Sequence, residues 1–376
     1  MATELGKKPQ TFGRFDIVGN ITIDDKTFQL SEKGKNNPNW IMNIFNPKVE
    51  GKDGQSMFIR LQGGYDSNNG KTIYTTSKQD SNLEIAFGDR QNPKILEMVN
   101  EKSFIKVGYK KEKIKDENGK EYTGWVYEKF LDSFDAISFL HKVMPLASEQ
   151  KVHIKGALKF GEYNGNITKN FELQSIWILT GNEEKGKEMP CEFKFIQDVL
   201  LDSDSVDKSV IEKENKVKLH TKLYIKEKQE YKVLPIDMII PIDENKEVKE
   251  KIIQKFFTVD EGKVRRIKLE GIFRSGLIQG NITKEDLNEE ALEMISLGFY
   301  TEEEVLNVNA NREWVDDLVV IRPVIKKQDN GKILIDMDDD TYTLDDLKGK
   351  EVELIQEVEV EDDVVDDDLM NELENL

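Results

Sequence analysis

Few residues in this 376-residue chain have types and spacings suited to covalent or metal chemistry. Three histidines, His141, His153 and His220, and a single cysteine, Cys191, are too few and too scattered for a zinc site, and no serine or cysteine stands in a nucleophile motif. The run GNEEKGK at Gly181–Lys187 starts like a phosphate-binding loop. Glu188, however, stands where a magnesium-binding Ser or Thr is needed, so a linker is expected. Asp336, Asp338 and Asp340 alternate as in a calcium loop, yet Thr341 replaces the required glycine and Leu347 the closing glutamate. No catalytic residue, metal or cofactor is expected, and the chain is read as a non-enzyme.

The sequence does offer aromatic rings beside cations on short strands. In the segment 103–130, Tyr109, Lys111 and Lys113 precede a strand, Tyr122–Phe130, that places Trp125, Tyr127 and Lys129 on one face by its period of two. A second hairpin offers Tyr224, Lys226, Lys228 and Tyr231, and a later strand adds Arg265, Arg266, Lys268 and Arg274, which include three of the chain's eight arginines. Trp40, Phe45 and Arg60 are weaker candidates. Single-stranded nucleic acid needs such surfaces: bases stack on rings for about 1–3 kcal/mol each while cations follow the phosphates. The competing reading makes half of these aromatics barrel core and the lysines an ordinary wet surface.

These residues must be held by β-structure. From Phe12 onward the chain alternates short β-rich stretches with turn signals at Asn69-Gly70, Asn118-Gly119 and Asn164-Gly165. One amphipathic helix is predicted from Asp132 to Pro145, between strands 103–111 and 122–130 before it and 151–160 and 170–180 after it. A helix between the third and fourth of five strands is the arrangement of the oligonucleotide/oligosaccharide-binding (OB) barrel. A second copy is legible. GALKFGEYNGNITK at Gly156–Lys169 aligns on GIFRSGLIQGNITK at Gly271–Lys284, and YKKEK at Tyr109–Lys113 on YIKEK at Tyr224–Lys228, both at an offset of 115. The same offset predicts a helix over 247–260. Glycine at Gly156/Gly271 or Gly161/Gly276 would let the fourth strand bulge as the barrel closes.

The expected fold is therefore mainly β with a few helices: two tandem OB-like β-barrels followed by a disordered acidic tail. The expected divisions are an OB-like domain over 1–185 with elaborated N-terminal strands, a second over 186–330 with a helical insertion at 283–306, a connector at 331–350 and the tail at 351–376. Residues 24–100 have no counterpart in the second copy.

The formal charge of -19 is unevenly placed. Residues 1–300 carry 47 basic and 48 acidic side chains; residues 301–376 carry 7 and 25, and from Glu351 to Leu376 there are 12 acids and no base. Such a run repels itself and stays extended. Its apolar residues suggest a partner-binding tail, with Asp366, Asp367, Asp368, Leu369, Met370, Leu373 and Leu376 as the contacts. The start MATELGKKPQ lacks a secretory pattern, one cysteine excludes an internal disulfide framework, and no apolar run approaches the roughly 20 residues of a membrane helix. A cytoplasmic protein without a membrane partner is expected.

With its OB-like strands and helix, its aromatic-and-lysine hairpins and an end reading DDVVDDDLMNELENL, the chain resembles bacterial and phage single-stranded DNA-binding proteins. The resemblance implies a body that coats single-stranded DNA in replication or recombination and a tail that recruits polymerase, primase or helicase. The chain departs from the commonest bacterial form in having two unequal domains, hardly any linker before the tail, and Leu376 in place of a terminal Pro-Phe pair. The alternative is a phage virion or tail module with OB-like barrels and no DNA binding.

Overall fold

The computed structural model describes residues 8–52, 54–115, 119–183, 186–209, 211, 215–227, 230–242, 246–279, 289–301, 312–327 and 331–348. The fold is mainly β. The N-terminal strands are β1 (Gly13–Thr22), β2 (Phe28–Lys33), β3 (Trp40–Phe45), β4 (Lys48–Glu50), β5 (Ser56–Phe58), β6 (Leu61–Asp66), β7 (Thr72–Thr76), β8 (Asn82–Ala86), β9 (Ile105–Lys115), β10 (Glu121–Phe130), β11 (Glu149–Tyr163) and β12 (Asn166–Ile178). Then come β13 (Glu192–Leu201), β14 (Val206–Asp207), β15 (Lys216–Glu227), β16 (Glu230–Pro241), β17 (Arg265–Gln279), β18 (Arg312–Pro323), β19 (Ile325–Lys327), β20 (Ile333–Ile335) and β21 (Met337–Asp338). The helices are α1 (Pro93–Leu96), α2 (Ser133–Val143), α3 (Lys246–Ile252), which runs into a π turn at Ile253–Phe257, α4 (Glu289–Ser296) and α5 (Leu344–Leu347).

The C-terminal half closes a five-strand ring. β13 pairs β15, β15 pairs β16, β16 runs parallel to β18, β18 pairs β17, and β17 returns to β13. This is the OB order 1-2-3-5-4-1, with α3 between the third and fourth strands as the sequence predicts. The N-terminal half repeats part of it: β1 pairs β11, β11 pairs β12, and β12 runs parallel to β9. Here, however, the hairpin is placed the other way round. β9, the first strand of its hairpin, lies against β12, and β10 projects beyond it as an outer strand. In the C-terminal half the second strand, β16, holds the corresponding place. Tyr109 and Tyr224, which open YKKEK and YIKEK, therefore share an offset but lie in strands with different neighbours.

Equivalence is firm where glycine enforces it. Both fourth strands shift register at their glycine, between Lys155 and Gly156 and between Glu270 and Gly271. A Cβ at Gly156 would stand 2.7 Å from the Phe15 ring and 2.0 Å from the Glu172 carbonyl oxygen; one at Gly271 would stand 2.4 Å from both the Phe195 ring and the Val319 carbonyl oxygen. The first strands of the halves, β1 and β13, pair antiparallel with Phe15 opposite Phe195. Phe15 and Phe195 stand 180 positions apart and the glycines 115 apart, so the N-terminal half carries 65 extra residues between its first strand and its hairpin. These form the β2-β3-β6 sheet and the β7-β8 hairpin.

The largest apolar cluster runs through both halves, joined by the ring ladder Phe15–Phe171–Phe273–Phe195 with centroids 5.2–5.4 Å apart. Each fully buried ring contributes on the order of 2 kcal/mol. α2 packs its buried Ala136, Ile137 and Leu140 inward. Asp132 caps the helix through the Phe134 amide and accepts from Lys71, and Asn43 donates from the overlying sheet to Phe134 O and Ser138 Oγ. This anchors β3 over α2 and buries Phe45 completely, removing it as a surface candidate. Of the expected insertion, α4 and the residues to 301 are described; the rest of it, and the tail with Asp366, Asp367, Asp368, Leu369, Met370, Leu373 and Leu376, lie outside the described residues.

Candidate functional site

The outward face of β10, β9 and β12 gathers the rings. Tyr127 lies opposite Gly108 on β9, and Gly108 lies opposite Trp177 on β12, so one row crosses three strands. Glycine is required in the middle of it: a Cβ at Gly108 would fall 2.0 Å from Trp177 Cε3, because the indole lies directly against that backbone. Trp177 then meets Trp125 and Tyr127 at centroid separations of 5.4 and 5.7 Å, tilted and edge-on. Trp125 and Trp177 are half-buried, while Tyr127 is 39% exposed. The result is an aromatic shelf open to solvent on one side.

Backbone clamps fix the shelf. The parallel β9–β12 pairing covers only Lys106–Gly108 against Ser175–Trp177. Just past it, Asn182 extends the contact: its Oδ1 accepts from the Lys111 amide at 2.9 Å, and its Nδ2 donates to Ile178 O at 2.9 Å and Tyr109 O at 3.3 Å. The GNEEKGK stretch thus opens on a structural turn. Tyr109 packs edge-on against Phe139 of α2 at 5.4 Å and serves more to seat β9 than to face solvent.

Cations rim the shelf. Lys111 Nζ lies 5.2 Å from the Trp125 ring centre and has no ion pair among the described residues; Lys113 is exposed opposite Thr123. Lys129 Nζ lies 5.9 Å from the Tyr127 ring and pairs with Glu101 at 2.8 Å, with Lys106 3.6 Å from the same carboxylate. Lys129 and Lys106 hold the Glu101 carboxyl below its ordinary range, with burial opposing. Lys110 pairs with Glu112, which raises its pKa.

The C-terminal candidates have other uses. Tyr224 is 0% exposed, stacked on Tyr231 at 5.2 Å and edge-on to Tyr342 at 5.8 Å, so its ring has no face open to a base. Lys226 lies over the half-buried Tyr231 ring at 5.7 Å, and Lys228 lies outside the described residues. Arg265 makes a bidentate pair with Asp339 at 2.6 and 2.7 Å and donates to Phe256 O at 3.1 Å. Arg266 bridges Asp198 at 2.6 Å and Asp336 at 2.7 Å, and Lys268 reaches Asp336 at 3.0 Å. These cations, expected to face phosphate, are neutralised internally and hold the segment 331–348 against β17. Burial pushes the Asp336 carboxyl up, but Lys268 and Arg266 prevail and hold it at about 2. Asp338 accepts from the amides of Asp340 and Thr341, so the alternating aspartates serve a turn and ion pairs. Arg274 is exposed, opposite Asp317.

The structure thus brings Lys111, Trp125, Tyr127 and Lys129 together and separates them from the C-terminal set. It adds Trp177, Gly108 and Lys106. Trp177 lies in the predicted strand FELQSIWIL, where its alternation with buried Ile176 and Ile178 was the available signal.

No protein-family model matches the chain, and no curated protein matches it. Among solved structures it is similar to the wild-type single-stranded DNA binding protein from Thermus aquaticus, at 8% identity and a TM-score of 0.30, over 70% of this chain and 87% of that one. A deletion mutant of the Thermus protein is similar at the same identity and score, over 70% of this chain and 88% of that one.

Proposed function

We propose that the chain binds single-stranded DNA without catalysing a reaction, and that the shelf of Trp125, Tyr127 and Trp177 is where bases stack. The observation that carries this reading is three rings and four lysines on one outward sheet face, with a glycine beneath the central indole leaving room for it. Stacking supplies about 1–3 kcal/mol per base and needs no particular base, since every base has a π-face. Lys111 and Lys113 meet phosphates directly. At Lys129 and Lys106 a phosphate exchanges for the Glu101 carboxylate, an anion for an anion.

The acidic end, 351–376, adds two proposed roles in replication or recombination. As a tethered polyanion it competes with DNA for the basic rim, and its apolar residues contact replication proteins such as a polymerase, primase or helicase.

A salt titration on oligo-dT tests the reading. Binding should weaken linearly in log K against log salt, with a slope of about -0.7 per contacted phosphate, and tryptophan emission should quench as bases stack. Absence of binding at low salt would overturn the proposal and leave the structural-module alternative.

A further inference from the structure

β12 is covered by β9 only at Ser175–Trp177; from Asn166 to Leu173 its outer edge has no strand partner among the described residues. That edge forms one wall of an open groove of about 540 Å³, whose other wall is the segment from Phe58 to Gln62, with Ser133 at one end. Phe58 is a large ring left 57% exposed, and Arg60 is exposed with no ion pair among the described residues. Gln62 and Asn170 contribute exposed amides, and the half-buried Phe171 forms part of the floor. The other charges lining the groove are already paired: Lys169 with Asp316 of β18, and Glu172 with Lys159 at 2.6 Å. Arg60 is the unbalanced charge.

We infer that this groove is a second contact for the same single strand, taking a phosphate at Arg60, a base on Phe58 and base edges at Gln62 and Asn170. The inference rests on the proposed function above and extends it. Continuity along β12 supports it. The ring row sits at Trp177, the Lys106–Lys129 pair lies at the level of Ser175, and the groove begins at Leu173 where β9 stops. From Ser175 to Lys169 the strand advances about 20 Å, so an extended oligonucleotide leaving the shelf past Lys106 meets the groove next. An unpaired strand edge could also receive a peptide. The ring, guanidinium and two amides favour nucleic acid, because a peptide added there would use the main chain and leave those side chains without a role.

The test compares oligo-dT of about 5 and about 16 nucleotides, the ends of the range for one such barrel. The probe proteins are the wild-type chain and a Phe58→Ala/Arg60→Ala double variant, whose exposed positions spare the core. For the variant, affinity for the long oligonucleotide should fall about tenfold or more and its salt slope should flatten by about 0.7, one phosphate, while affinity for the short one stays within about twofold. Wild-type affinity and slope on the long oligonucleotide would overturn the inference and leave the edge to a peptide. Equal losses at both lengths would also overturn it, since the groove would then not be a separate contact. A wild-type chain that binds neither length would refute the proposed function itself.

Discussion

Replacing Gly108 with alanine perturbs the shelf without deleting an aromatic ring. The added methyl would stand 2.0, 2.5 and 2.9 Å from Trp177 Cε3, Cζ3 and Cδ2, whereas carbon atoms rest at about 3.5–4.0 Å. The indole must therefore lift by roughly 1.5 Å or swing away, breaking its contacts with Trp125 and Tyr127. Those two ring pairs contribute about 0.5–1.5 kcal/mol each beyond burial. Loss of one stacked base costs a further 1–3 kcal/mol in binding, which is about 5-fold to 150-fold in Kd. The Gly108 backbone has an ordinary negative φ, so the strand ladder should survive and Tm should fall by only a few degrees. The assay is oligo-dT binding by fluorescence anisotropy, with Gly161→Ala as the control. At Gly161 an added Cβ meets nothing closer than 3.5 Å, and affinity should not change. Should Gly108→Ala shift tryptophan emission, and so report a displaced indole, yet bind oligo-dT like the wild type, stacking on this shelf is refuted.

The Asp336 latch should titrate in acid. Its carboxyl is held at about 2 against an ordinary 3.8, so its stabilisation is complete above about pH 4 and is lost as pH falls toward 2. Asp336→Asn should cost on the order of 2 kcal/mol at neutral pH and flatten the acid limb of a Tm–pH profile, while oligo-dT affinity stays within about twofold because Asp198 still pairs with Arg266 at 2.6 Å and lies 3.7 Å from Lys268. Deleting 351–376 should tighten oligo-dT binding at low salt and converge on full-length affinity near 1 M salt, where the screening length is about 3 Å; equal affinity at low salt would exclude competition by the tail. Tyr224→Ala should lower Tm through an unfilled cavity, at a cost of about 3–5 kcal/mol, and leave affinity per folded molecule intact.

Local signals in the sequence were good guides to local structure. The strands of the 103–130 hairpin, the helix after Asp132 and its counterpart before Thr258 all follow from periodicity and turn chemistry. The glycine pair Gly156/Gly271 marks both register shifts because backbone and phenylalanine approach too closely there for any side chain. What escaped depends on long-range pairing. Trp177 joins Trp125 only because β12 lies parallel to β9, and nothing within either segment encodes that neighbour. Arg265, Arg266 and Lys268 looked like a phosphate-binding run until Asp198, Asp336 and Asp339, some 70 positions away, were folded against them. Tyr224 and Tyr109 open similar motifs yet have different burial, because the two hairpins join their sheets in opposite order.

The most direct test of base stacking on the β9–β10–β12 face is ultraviolet crosslinking of oligo-dT to the full-length chain, followed by mass-spectrometric mapping of the attached residues. Crosslinks are expected at Trp125, Tyr127 and Trp177, reduced in Gly108→Ala. Crosslinks confined to the C-terminal ring around β17, with none on the β9–β10–β12 face, would contradict stacking there.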